Sequence, residues 1–127
     1  MTSESFQGFI SQNLDESLCD AARAHAAVIC LATPGNAVVC VSDEFTSHTG
    51  YTAGEAIGRN LSFLQGADTE VDAVERFRHL IRSGTSGFVR ITNYRKDGSA
   101  FLHEVEMRPI RNDAGVLTHF VAIQRPT

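Results

Sequence analysis

The chain has 127 residues, the size of one ordinary domain, and 43% of them are hydrophobic, which is enough to bury a core. Its 11 basic and 15 acidic residues give a net charge of −4 with no basic stripe, so a nucleic-acid-binding surface is not expected. We also expect neither a membrane span nor a signal peptide, and we interpret Cys19, Cys30 and Cys40 as reduced thiols of a cytoplasmic protein.

An amphipathic helix is predicted for residues 3–26, with a break or bend near residues 13–17. Its apolar stripe consists of Phe6, Phe9, Ile10, Leu14, Leu18, Ala22 and His25. Because an isolated helix of this length is marginal in water, the stripe must dock on another surface. We therefore divide the chain into an N-terminal helical cap, residues 1–26, and a main domain, residues 27–127.

A β-hairpin is predicted next, from two apolar segments that flank the turn sequence at residues 33–36. The segments are Ala27–Leu31 and Ala37–Val41. A tight turn places Cys30 and Cys40 on opposite faces of the hairpin, which argues against a disulfide between them.

Helical segments follow the hairpin. Ser42 or Asp43 can cap a helix over residues 44–48, and Thr52 with Glu55 forms a capping box for residues 53–57. A longer helix is predicted to start at Asp68 or Thr69 and to end at Ser83-Gly84. Its predicted apolar stripe is Val71, Val74, Phe77, Leu80 and Ile81.

The last third of the chain predicts three strands, at residues 87–94, near 101–108 and at 116–124. Short turns join them, so they are antiparallel neighbours, and the fold class is α+β. The outward face of the last strand carries Leu117, Val121 and Ile123, which is too apolar to remain bare. We expect the N-terminal helix to cover it, and the same surfaces to pair two protomers in a homodimer.

Three polar residues interrupt the core-facing rows of these strands. Asn93, His103 and Gln124 each stand in phase with apolar neighbours. A buried polar group without a partner costs roughly 1–3 kcal/mol, so the three must bond each other, buried water or a ligand. A planar heterocycle with several donors and acceptors would satisfy all three, and we favour a ligand over strand-end exposure.

Residues 58–65 read Gly-Arg-Asn-Leu-Ser-Phe-Leu-Gln, which resembles the G-x-N-C-R-F-L-Q pattern of LOV (light-oxygen-voltage) flavin photoreceptor domains of the PAS superfamily. The resemblance covers about residues 27–125 and includes residues 93–98 and 120–124. It implies a short, single-domain LOV protein with the PAS/LOV fold. That fold is a five-stranded antiparallel sheet with helices packed on one face, preceded here by the N-terminal amphipathic helix.

The resemblance also implies a cofactor and its contacts. The cofactor is FMN, with riboflavin or FAD as alternatives. Carried over by position, Asn60 and Gln65 line the flavin pocket, and Arg78 binds the phosphate. Asn93 bonds the pyrimidine edge, and Gln124 faces flavin N5 and O4 and reorients in signalling.

Three residues depart from the family pattern. Leu61 stands at the position of the photoactive cysteine and cannot form an adduct at flavin C4a. Ser62 replaces the first phosphate-binding arginine, and His103 replaces the second asparagine of the pyrimidine edge, where its protonation would make binding pH-dependent. Cys30, on the first strand, is the alternative position for a relocated thiol; otherwise it is a small buried hydrophobe.

The function that the resemblance implies is flavin-based sensing of blue light, redox state or both. Without the thiol, the predicted chemistry is photoreduction to the neutral semiquinone. The electron comes from Tyr51, Tyr94, a cysteine or an external reductant. The signal then leaves through Gln124 and the N-terminal helix or dimer surface to a partner protein that the sequence does not identify.

Two other functions are weighed against this one. A PAS-type interaction module that has lost or weakened flavin binding is favoured by Ser62 and His103 and opposed by the retained pocket residues. An enzyme is not expected, because no catalytic motif occurs and the five histidines lack metal-ligand spacing. The histidines are His25, His48, His79, His103 and His119.

Overall fold

Five strands form one antiparallel sheet at the centre of the chain, of which the computed structural model describes residues 3–126. The strands are β1 (Ala26–Leu31), β2 (Val38–Val41), β3 (Gly87–Tyr94), β4 (Ala100–Arg111) and β5 (Leu117–Pro126). Their spatial order is β2-β1-β5-β4-β3. This confirms the predicted α+β class, the hairpin and the antiparallel neighbours in the last third of the chain. Because β1 pairs with β5, Ala26 lies opposite Gln124.

Four helical segments connect β2 to β3 and pack on one face of the sheet. They are α3 (Asp43–Thr49), α4 (Ala53–Ala56), a 3₁₀ helix (Leu61–Leu64) and α5 (Val71–Ser83). The caps follow the sequence: the Ser42 side chain accepts from the amide of Phe45, and Thr52 and Glu55 form the predicted capping box. Gly84 ends α5 in the left-handed conformation, at φ 64.

Helix α5 begins later than predicted, because the two residues before it are bound to the edge strand β3. The Thr69 hydroxyl donates to the carbonyl of Thr92, 2.7 Å away. The Glu70 carboxylate accepts from both the amide and the hydroxyl of Thr92, each at 2.7 Å. The predicted start at Asp68 or Thr69 is therefore wrong. Val71, placed in the apolar stripe, is 75% exposed at the first turn.

Gly66 explains how the loop before α5 approaches β3 so closely. A Cβ atom at this position would lie 2.4 Å from the ring of Tyr94, so only glycine fits. The Tyr94 hydroxyl accepts from the amide of Asp68 at 2.9 Å and fixes the loop at its other end. The loop and the edge strand therefore form one packed unit.

The opposite face of the sheet is covered by two helices, α1 (Ser3–Asn13) and α2 (Glu16–Ala24). The predicted break is confirmed: α1 ends at Asn13, and Asp15 caps α2 by accepting from the amide of Leu18 at 2.8 Å. We call this side the cap side. Its buried residues are Phe6, Ile10, Cys19, Ala22, Ala27, Ile29, Cys40, Ile110, Val121 and Ile123.

Strand alternation separates the core into this cap side and a second cluster under α3–α5, which we call the pocket side. Cys30 belongs to the pocket side and Cys40 to the cap side, as predicted, and all three cysteines are free and buried. Leu117 is an exception, because it packs against the pocket side rather than under the N-terminal helices. A register shift between Ile110 and Arg111 on β4 accompanies this change of face.

Among residues 3–126, no helix is long and apolar enough to cross a membrane.

Candidate functional site

A pocket lies between the sheet and the segment that runs from the 3₁₀ helix to α5. The sheet contributes Cys30, Ile91, Asn93, Val105, Met107, Ala122 and Gln124, while the helical side contributes Asn60, Leu61, Ser62, Leu64, Gln65, Phe77 and Ile81, with Asn36 from the hairpin turn. Most of these side chains are apolar, and the polar ones are Asn36, Asn60, Ser62, Gln65, Asn93 and Gln124. This composition is typical of a small-molecule site.

The three polar residues that interrupt the strand pattern are all buried. Asn93 is 6% exposed, Gln124 is 2% exposed, and His103 is fully buried. Asn93 and Gln124 line the pocket, whereas His103 stands beside Asn93 outside the lining. Among the residues that the structure describes, Asn93 Oδ1, His103 Nδ1 and Gln124 Oε1 have no hydrogen-bond partner. Since buried polar atoms are normally paired, this concentration of unpaired atoms marks the pocket as the candidate ligand site.

Asn93 and His103 are bonded to each other, with 2.8 Å between Asn93 Nδ2 and His103 Nε2. Behind them, the ring of Phe101 contacts both His103 and His48, at centroid distances of 4.7 and 4.6 Å. The pKa of His103 is lowered from 6.5 to about 4, first by burial and then by the charge of His48. At neutral pH this ring is therefore an uncharged donor and acceptor.

Asn60 and Gln65 lie at the two ends of the 3₁₀ helix, and both line the pocket. The Asn60 side chain also joins this helix to the hairpin turn, because its Oδ1 accepts from the amide of Ser62 and its Nδ2 donates to the carbonyl of Gly35, both at 2.9 Å. Between the two ends, Leu61 is half-buried in the pocket wall and Ser62 is exposed at its rim. Leu61 therefore faces the pocket with an aliphatic side chain.

Arg78 lies apart from this group. It projects from α5 with 64% of its side chain exposed and pairs with Glu75 at 3.0 Å, outside the pocket lining. The described residues thus bring together Asn60, Leu61, Gln65, Asn93 and Gln124, place His103 next to them, and leave Arg78 at the surface.

Cys30 lines the pocket but has the properties of an inert thiol. Burial raises its pKa to about 11, against a smaller lowering from a backbone hydrogen bond to Phe120. The reactive form of cysteine is the thiolate, which a pKa of this height suppresses at neutral pH. The alternative of a relocated thiol at Cys30 is therefore not favoured.

The pocket has a free volume of about 90 Å³. Sites for ligands of drug size typically measure roughly 300–1,000 Å³. The free volume of this pocket is therefore below that range. Leu61, Phe77 and Ile81 on the helical side of the pocket are half-buried.

Several residues of this region are not predicted as site residues from the sequence, among them Asn36, Met107 and His48. Asn36 was assigned only to a turn, and its φ of 45 is in the left-handed region, which asparagine tolerates. Met107 was assigned to the core without a link to the site. His48 gave no signal, because its contact with His103 joins α3 to β4 and depends on the tertiary fold. Among residues 3–126, no group of three or more His, Cys, Asp or Glu side chains is placed to hold a metal ion.

Comparison with known proteins places this geometry in a family. A family model described as "PAS domain" matches residues 25–125. The chain is 42% identical over 90 residues to a "Blue-light photoreceptor" of Listeria innocua, which covers 71% of this chain and 35% of that protein. It is 38% identical over 91 residues to "Phototropin-2" of Oryza sativa subsp. japonica, covering 72% of this chain and 10% of that protein. The chain thus spans about a third or less of these curated relatives.

Solved structures agree with this match along most of the chain. A structure described as "Flavin Analogue Sheds Light on Light-Oxygen-Voltage Domain Mechanism" superposes with a TM-score of 0.81 at 34% identity, covering 90% of this chain and 87% of that one. "The dark structure of the blue-light photoreceptor Aureochrome1 LOV" gives a TM-score of 0.82 at 34% identity, with coverages of 89% and 84%. These matches confirm the PAS/LOV fold.

Proposed function

The chain belongs to the PAS domain family and resembles its LOV photoreceptor domains, and on this premise we propose that it is an FMN-binding sensory module that works without a cysteinyl adduct. The observation that carries the proposal is the pair of buried amide oxygens, Asn93 Oδ1 and Gln124 Oε1, that line one pocket without a partner among the described residues. The N3–H of a flavin pyrimidine edge would donate to Asn93 Oδ1, and Gln124, after a half-turn of its amide, would donate from Nε2 to flavin N5 or O4. Riboflavin or FAD would bind through the same ring.

Each pocket residue has a proposed role. Asn93, supported by His103, bonds the pyrimidine edge of the ring, and Gln124 bonds its central edge. Asn60 and Gln65 line the ring and its side chain. Arg78 is exposed and can turn toward a phosphate only after it leaves Glu75. Phosphate recognition is therefore the weakest part of the binding site, and riboflavin should bind with an affinity close to that of FMN.

Leu61 determines the kind of chemistry. A bound flavin would supply blue-light absorption and, when excited, would accept an electron from Tyr51, Tyr94, a cysteine or an external reductant. The Leu61 side chain excludes water from the adjacent ring face and offers no nucleophile. The proposed signal is therefore photoreduction, in response to light, redox state or both.

Gln124 has the position needed to transmit a signal. Its side chain faces the pocket, while the next residue on β5, Arg125, faces the cap side and pairs with Glu106 at 2.9 Å. A rotation of the Gln124 amide would therefore act next to Arg125, which lies near Leu18 and Ala21 of α2. We propose that the output surface is this cap side, through the N-terminal helices, a homodimer contact or an unidentified signalling partner.

The absorption spectrum of the purified full chain, in the dark and under blue light, tests the proposal. We expect a structured blue band that light bleaches without the single near-ultraviolet product band of a thiol adduct. Leu61→Cys should introduce that adduct band, and Leu61→Ala is the matched control that enlarges the pocket without a thiol. The absence of a flavin band in all three proteins, even after added FMN and riboflavin, would contradict flavin binding.

Gln124→Leu tests the signalling role separately. We expect photoreduction to continue while light-induced changes in the helices, measured by hydrogen exchange of α1 and α2, disappear. An unchanged response in this variant would contradict the role of Gln124. Light scattering of the full chain tests the homodimer, which a monomeric mass at high protein concentration would contradict.

The second candidate is a PAS interaction module that no longer binds flavin. The small free volume and the surface position of Arg78 favour it. A protein that purifies colourless and takes up no added flavin, while retaining its fold by circular dichroism, would establish this alternative.

A further inference from the structure

A row of polar side chains leads from the surface to the pocket wall. His48 lines two surface clefts, His103 is buried behind it, and Asn93 reaches the pocket. The two imidazole rings lie 6.2 Å apart between centroids. His48 Nε2, His103 Nδ1 and Asn93 Oδ1 are buried without partners, so every member of the row has one unsatisfied atom.

The contact between Asn93 and His103 ties the position of the His103 proton to the orientation of the Asn93 amide. Asn93 Nδ2 carries two hydrogens and has no acceptor capacity, so at 2.8 Å His103 Nε2 must be the acceptor. A neutral imidazole carries one N–H, and in this arrangement the hydrogen therefore lies on Nδ1. Asn93 then directs Oδ1, an acceptor, at the ligand.

A second arrangement is equally self-consistent. If the hydrogen of His103 moves to Nε2, that nitrogen donates, and the Asn93 amide must rotate by half a turn to accept with Oδ1. Asn93 Nδ2 then becomes the group directed at the ligand. The tautomer of His103 therefore decides whether the pocket offers an acceptor or a donor at this position.

His48 selects between these arrangements. The two nitrogens are not bonded to each other, but one water molecule can bridge rings whose centroids are 6.2 Å apart, and through it a free lone pair on His48 Nε2 would favour a hydrogen on His103 Nδ1. When His48 is protonated, its Nε2 becomes a donor, and His103 Nδ1 must accept. Protonation at the surface end of the row is thereby converted into a rotation of Asn93 at the pocket.

We propose that His48 and His103 are positioning residues that set the hydrogen-bonding sense of Asn93, so that the site binds a ligand N–H when His48 is neutral and loses this bond when His48 is protonated. The inference rests on the proposed function for its ligand, an imide-bearing ring such as flavin. The row consists only of protein side chains, so it can be tested without a ligand.

The surroundings of His48 set the direction of the pH response. Burial, and then the charge of Arg95, lower the pKa of His48 below its usual 6.5. The other titratable groups along its two clefts are His25 and Glu44 in one, and Lys96 and Asp97 in the other. Burial first, and the charge of His48 second, lower the pKa of the His103 ring to about 4.

Nitrogen NMR of the ligand-free full chain, with ¹⁵N-labelled histidine, tests the row without any cofactor. At about pH 8 we expect His103 to carry its hydrogen on Nδ1, and as His48 titrates we expect it to move to Nε2. His48→Phe and His48→Gln should both abolish the movement, the second while retaining a polar group. His25→Gln, in the same cleft, is the matched control and should leave it unchanged.

FMN titrations complete the test. We expect the affinity of the wild type to fall roughly two- to tenfold as His48 becomes protonated, the value of one neutral hydrogen bond. In His48→Phe and His48→Gln the ratio should approach one. A His103 tautomer that stays constant while His48 titrates overturns the inference. A tautomer change without flavin binding at any pH contradicts the proposed function and supports the row.

Discussion

Polar groups are buried on both faces of the sheet, but they are paired on the cap side and partly unpaired on the pocket side. On the cap side, Glu106 is 6% exposed and both of its oxygens are paired, with Arg108 at 2.8 Å and Arg125 at 2.9 Å. On the pocket side, Asn93, His103 and Gln124 together leave three atoms unpaired. A satisfied buried charge indicates a structural role, whereas a group of unsatisfied atoms indicates a place prepared for a ligand. Each prediction below tests this contrast.

The largest effect is expected where the cap side is apolar. Phe6 is fully buried among the residues that join α1 to the sheet. Phe6→Ala should lower the free energy of unfolding by about 3–5 kcal/mol in urea denaturation, or detach the helix if the rest stays folded. Phe88→Ala is the control, because Phe88 is 55% exposed on the same sheet and should change stability by under about 0.5 kcal/mol. Equal effects of the two variants would mean that the cap is not docked as described.

The second effect is a pH dependence of the free energy of unfolding that arises from His103 on the pocket side. Burial first, and the charge of His48 second, lower the pKa of His103 from 6.5 to about 4. The unfolded chain therefore takes up this proton at higher pH than the folded one. The free energy of unfolding should be highest above about pH 6.5 and should fall by on the order of 2–3 kcal/mol toward pH 4. His103→Asn should flatten this part of the profile, and a profile identical to that of the wild type would contradict the assignment.

The third effect concerns the paired carboxylate. Burial acts to raise the pKa of Glu106, but its bonds to Arg108 and Arg125 outweigh burial and lower it below 4.5. Its contribution to stability is therefore present above pH 4.5 and is lost as the pH falls further. Glu106→Ala should cost about 2 kcal/mol at neutral pH, less than a fully buried pair because both arginines reach solvent. Glu104→Gln, the neighbouring half-buried carboxylate, should cost less than about 0.5 kcal/mol, and a reversed order would contradict the contrast.

The smallest effect has the opposite sign. Gln124 keeps an unpaired buried oxygen, so replacing its amide with an aliphatic group removes a desolvation cost. Gln124→Leu should raise the free energy of unfolding of the ligand-free protein by about 1 kcal/mol while weakening flavin binding. Val121→Ala, on the cap face of the same strand, should lower stability. A destabilised Gln124→Leu variant would mean that the amide has a structural partner.

Several residues of this region could be identified from the pattern of the sequence alone. Asn93, His103 and Gln124 stood out because strand alternation has a period of two, and a polar residue in an apolar row is visible without coordinates. The position of Leu61 was equally clear, since it lies within a motif of eight consecutive residues. Local rules also located the caps at Ser42 and Thr52, because a cap involves residues only three apart.

Predictions were wrong where a distant element overrode a local preference. Thr69 resembles a helix cap, but its hydroxyl bonds Thr92, so α5 starts later. Leu117 has the alternation of an outward residue, but a register shift accompanies its packing on the pocket side. Neither the later helix start nor the change of face can be predicted from neighbouring residues, because Thr69 bonds Thr92 and Leu117 pairs with Arg111, which are distant along the chain.

The sequence by itself determined the class of fold, the sheet strands and the identity of the polar residues that face inward, since period and capping are local properties. The tertiary structure decided which of those residues meet. It placed His48 of α3 beside His103 of β4, paired Glu106 with arginines on two strands, and left Arg78 at the surface. The physical reason is that hydrogen bonds and ion pairs act over a few ångströms in space, whatever their separation along the chain.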